Sequence, residues 1–72
     1  MRKVFEVVLE RLAMRLKALR KERGWKQPDL AKKSGLSPGY IARLETGRHD
    51  PKLSTLVKLA KALDVSVSKL LE

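Results

Sequence analysis

Apolar residues recur at helical spacing along the opening stretch of the chain. Phe5, Val8, Leu9, Leu12, Leu16 and Leu19 share one stripe, ~100° wide at the pitch of an α-helix. Glu6, Arg11, Lys17 and Lys21 fall on the other side. The pattern predicts an amphipathic helix from Val4 to Arg23, stopped by Gly24. Trp25, the one tryptophan, follows the stop and is expected to cap a small core.

The stretch Gln27 to Gly47 reads as two short helices joined by a tight turn. Gln27 opens the first of them. Pro28 fits its first turn, where a missing N–H costs nothing, and Asp29 places negative charge at its positive end. Lys26 stands at the N-cap, a position lysine serves badly. Leu30 and Ala31 face inward, Gly35 supplies a left-handed stop and Leu36 pins the turn. Ser37 followed by Pro38 is a strong start signal for the next helix, expected to run to about Thr46. Farther on, Leu53, Leu56, Leu59, Ala60 and Leu63 predict a fourth helix. Ser66 caps a short fifth one carrying Val67, Leu70 and Leu71. All five elements are helical, so the fold class is all-α.

Composition narrows this picture. A chain of 72 residues makes one domain with a small core, and it has no cysteine to staple it. The absence of cysteine fits a cytoplasmic protein. No apolar run approaches the ~18 residues of a membrane span. Glu6, Glu10 and Arg11 interrupt the N-terminal apolar stretch too early for a signal peptide. Seventeen Lys and Arg against eight Asp and Glu leave a formal charge of +9. Such a domain commonly meets a polyanion, although a merely solubilising surface accounts for the charge equally well.

Order within the third helix decides between these. Ile41, Leu44 and Tyr40 make its buried side, and Pro38, Gly39, Ala42, Arg43 and Thr46 the outer side. That outer side is small except for Arg43. Small residues let a helix approach the floor of the DNA major groove, and an arginine fork can pair with guanine O6 and N7. The Ser37 hydroxyl and the free N–H groups beside it suit a phosphate or a base edge. A small outer face is also what the solvent side of any short helix would look like; the turn, the caps and the surrounding cations weigh against that.

Here the chain resembles a known family, the phage-repressor and Cro-type (XRE-like) helix-turn-helix proteins. The segments LKALRKERGW, KQPDLAKKSGLS, GYIARLETG and LVKLAKALDVSVSKLL carry the resemblance, which covers about Leu12 to Leu71. It implies a compact five-helix, lambda-repressor-like domain over residues 12–72, its helix-turn-helix motif at 27–46, with residues 1–11 extending the first helix. It further implies that Ser37, Pro38, Gly39 and Arg43 read bases. Gln27, Tyr40, Thr46 and Arg48 would grip the sugar-phosphate backbone; Lys26 departs from the Ser or Thr the family often has there, and its ammonium sits beside that phosphate site. Arg20 and Glu45 match the family's internal ion pair. That pairing has independent support, because Glu45 falls beside buried Ile41 and its charge needs a partner. Pro38 and Gly39 depart from the polar readers other members carry, which leaves Arg43 more of the direct readout and DNA shape a larger share.

The expected partner is double-stranded DNA, as a palindromic operator bound by a homodimer, since one small module reads few base pairs. Candidate subunit surfaces are the fifth helix with its preceding turn (Val65, Val67, Leu70, Leu71) and the N-terminal extension. The extension's stripe can equally fold back over the fifth helix within one subunit. No cofactor is expected. His49, the single histidine, is read as a surface or phosphate-facing residue rather than a metal ligand. No catalytic set is evident. Two other function classes compete: an antitoxin that binds DNA and a protein toxin, and a cationic amphipathic protein on anionic membranes.

Overall fold

A computed structural model describes residues 2–72; of the extension, Met1 lies outside the described residues. Five helices appear in the expected order: α1 Val4–Glu22, α2 Gln27–Ser34, α3 Pro38–Leu44, α4 Leu53–Leu63 and α5 Val67–Leu71. Among the described residues there is no strand. Leu12, Leu16 and Leu19 of α1 meet Leu30 of α2, Ile41 and Leu44 of α3, Leu59 and Leu63 of α4, and Leu70 of α5 in one core. Trp25, Leu36 and Tyr40 are partly buried against it, as their positions at turns and on the inner face of α3 predicted.

Each turn has a chemical cause. Gly35 takes φ 75°, a left-handed conformation that costs a side-chain-bearing residue energy, and Leu36 N–H then reaches back to the Ala31 carbonyl. Ser37 Oγ accepts from Tyr40 N–H at 3.1 Å and so caps α3. Lysine has no acceptor atom with which to cap α2. Instead the Asp29 carboxylate reaches back to accept from Lys26 N–H at 2.8 Å, which is the returning half of a capping box. Arg23 performs a task its place in a basic run did not announce. One of its nitrogens donates to Leu19 O in α1 and the other to Leu63 O, the last carbonyl of α4.

Three expectations change. Helix α3 stops at Leu44 rather than near Thr46. The Thr46 hydroxyl donates to Arg43 O at 2.6 Å, and Thr46 N–H bonds the same carbonyl. This local competition replaces the next helical bond, and Gly47, at φ 79° against the Glu10 backbone, turns the chain away. Leu53 is 69% exposed rather than core, because it opens α4 before that helix meets the bundle. The α1 stripe is buried only from Leu9 onward; Phe5 stays 55% exposed. Glu72, at the end of α5, lies beside Arg11, Met14, Arg15 and Ala18. So α5 lies along the middle of α1, and Val4 and Phe5 are not folded beneath it.

Candidate nucleic-acid interface

The packing of α2 and α3 rests on one buried charge cluster. Arg20 Nε and Nη2 donate to the two carboxylate oxygens of Glu45 at 2.8 and 3.0 Å, a bidentate fork. Its remaining terminal nitrogen, Nη1, donates to Trp25 O at 2.8 Å. Both side chains are nearly sealed from solvent, at 9% and 3% exposure. A third member went unforeseen: Gln27 Nε2 donates to Glu45 Oε1 at 3.1 Å. The cluster therefore ties α1, the start of α2 and the end of α3 together.

Its electrostatics are consistent with that geometry. Burial by itself would push the Glu45 carboxyl up. Hydrogen bonds from Arg20 and Gln27, with attraction to Arg20 and Lys17, outweigh burial and hold it below the ordinary value. The Glu45 hydrogen bond raises Arg20 in turn, against partial desolvation. Both groups stay charged throughout the neutral range.

The outer side of α3 is different. Ser37, Pro38, Gly39 and Arg43 are all exposed, and Ala42 is half-buried. Lys26, Thr46 and Arg48 are exposed nearby, while Gln27 and Tyr40 are half-buried. The donors these residues have left can be counted. Gln27 spends one amide proton on Glu45 and keeps the other. Thr46 spends its single hydroxyl proton on Arg43 O and accepts from Arg48 N–H, so it offers a phosphate no donor from its side chain without losing that bond. Arg43 Nη2 contacts His49 Nδ1 at 3.2 Å, and His49 Nε2 contacts Tyr40 Oη at 3.1 Å. No periodicity argument reaches His49, because it sits in a loop whose path depends on the fold. Among the described residues no group of three or more His, Cys, Asp or Glu could hold a metal ion. Among the described residues no helix is long and apolar enough to cross a membrane.

Two short helices at a tight turn, the second exposing a narrow face and bolted from behind, define a helix-turn-helix module. A helix-turn-helix family model, HTH_3, matches residues 16–70. The chain belongs to this family, the XRE-type helix-turn-helix proteins. It is 47% identical over 57 residues to the immunity repressor protein of Bacillus phage phi105, covering 79% of this chain and 40% of that protein. The chain thus spans less than half the length of that relative. The restriction-modification controller protein C.AhdI from Aeromonas hydrophila superposes with a TM-score of 0.82 at 37% identity, over 86% of this chain and 94% of that one. The N-terminal DNA-binding domain of SinR from Bacillus subtilis gives 0.79 at 35% identity, over 85% and 90%.

Proposed function

We propose that this chain is a DNA-binding regulator of transcription, of repressor or restriction-modification controller type, that reads double-stranded DNA in the major groove with α3. The observation that carries this reading is the two-sided construction of α3. Its inner side is locked by the buried Arg20–Glu45 fork, and its outer side holds exposed Ser37, Pro38, Gly39 and Arg43. A recognition surface must be rigid to hold register and narrow to enter the groove, and this one has both properties. The formal charge of +9 suits release of counterions from DNA. Lys26, Arg48, the spare amide proton of Gln27 and the phenol proton of Tyr40 are the phosphate grips; Thr46, with both its hydroxyl and its N–H bonded to Arg43 O, is not one of them. The relatives described above are named as a repressor, a controller and a DNA-binding domain, which favours regulation over an antitoxin role.

The working unit is a homodimer on a palindromic operator, with half-sites about one helical turn (~34 Å) apart. Val4 and Phe5 of the extension and Leu71 of α5 are exposed apolar side chains available for such a contact. The site of action is the cytoplasm. Selection of bound duplexes from a random pool, at two salt concentrations, tests the proposal. It expects a two-fold symmetric site whose affinity falls steeply with salt. Arg43→Ala is expected to relax one position per half-site at a cost of about 1–3 kcal/mol. Recovery of no enriched sequence, with single-stranded RNA bound as well as duplex DNA, would refute the reading.

A further inference from the structure

Arg43 is the one long donor on the outer face of α3, and in the free protein its guanidinium already has a partner. Nη2 lies 3.2 Å from His49 Nδ1. A guanidinium has only donors, so Nδ1 must be the bare nitrogen of the ring. The imidazole proton then sits on Nε2, which donates to Tyr40 Oη at 3.1 Å. The two rings meet edge to face, with centroids 5.0 Å apart and planes at 83°. Tyr40 itself packs against the core. A continuous chain of contacts thus runs from the core through Tyr40 and His49 to Arg43. It uses one proton of Nη2 and leaves Nε, Nη1 and the second Nη2 proton unspent on an exposed side chain.

We propose that His49 is a positioning residue for base reading: it holds the Arg43 fork in one orientation before DNA arrives, with Tyr40 fixing the ring and its tautomer. This rests on the reading that Arg43 contacts a base. A free arginine samples many rotamers, and ordering it at the moment of binding weakens discrimination. A fork ordered beforehand avoids that loss. The outcome is specificity set from a loop residue that need not touch a base.

The test uses the whole chain and the selected duplex, with single-base variants at the position that Arg43 reads. His49→Ala is expected to lower discrimination there about three- to tenfold. Affinity for random DNA, the salt slope and the melting temperature stay unchanged. His49→Asn, whose side-chain oxygen takes the place of Nδ1, retains most of the discrimination. In an Arg43→Ala background, His49→Ala costs nothing further. If His49→Ala keeps full discrimination while Arg43→Ala loses it, the positioning role is wrong and base reading stands. An additive loss in the double variant also overturns the role, since His49 would then act through another group. If Arg43→Ala leaves every base preference intact, base reading fails and the positioning role fails with it.

Discussion

Two arginines, 23 positions apart in sequence, divide the work of this module. Arg20 is buried, and all of its nitrogens are committed: two to Glu45 and one to Trp25 O. Arg43 is exposed, with a single side-chain contact, to the His49 imidazole. The side chains are chemically identical, and burial alone sorts them. An ion pair removed from water cannot exchange partners without leaving a bare charge behind, so it becomes a fastener. A cation in water that holds one weak contact exchanges it easily for a guanine edge. The inner pair ties the end of α3 to α1, and on the proposed reading that hold is what lets the outer arginine discriminate.

Deleting each arginine in turn should separate the two roles. Arg20→Ala leaves Glu45 buried and unpaired and should cost about 3–5 kcal/mol. That lowers the melting temperature by roughly 15 °C or more in a domain of this size. Replacing both partners, as Arg20→Met with Glu45→Leu, should restore most of the loss. Arg43→Ala should shift melting by no more than about 2 °C, as expected for a surface change. Equal thermal shifts for the two would erase the distinction.

Acid should expose the same inner pair. The folded-state pKa of Glu45 is held below its ordinary value. Its contribution is therefore complete above the unfolded carboxylate range near ~4.3 and is lost as pH falls through the lower folded value. Denaturant titrations across that window should show stability declining with acid, and Glu45→Gln should flatten the decline. A variant that declines as steeply as the parent would mean other carboxylates govern it.

Gln27 stands on the border between the two regions, and the thermal effect of Gln27→Ala should fall between those of Arg20→Ala and Arg43→Ala. Losing one hydrogen bond to a carboxylate costs on the order of 1.5 kcal/mol. If its second amide proton holds a phosphate, affinity for specific and random DNA should fall together. The salt slope should stay constant, since no charge is removed. Thermal destabilisation without any loss of affinity would assign Gln27 wholly to the interior.

The residues themselves explain which features the sequence revealed. Glu45 was legible because helical spacing put a charge beside Ile41, and a charge there requires a partner. The caps at Ser37 and Gly35 were legible because few residue types satisfy those backbone positions. Periodicity shows which side of a helix is apolar but not how far its neighbours extend, so Phe5 and Leu53 looked buried and are not. The early end of α3 depends on a bond from the Thr46 hydroxyl that competes with the helix. The His49 contact depends on a loop path that only the assembled fold determines.

The two hydrogen bonds that Arg23 donates, to Leu19 O and Leu63 O, also bear on the helix dipoles. It brings the C-terminal ends of α1 and α4 to one guanidinium. Each end carries the equivalent of roughly half a negative charge, so the two would repel if nothing stood between them. A single cation converts the convergence of two like poles into a joint. The outer frame of the module is thus held by electrostatics as well as by its leucines.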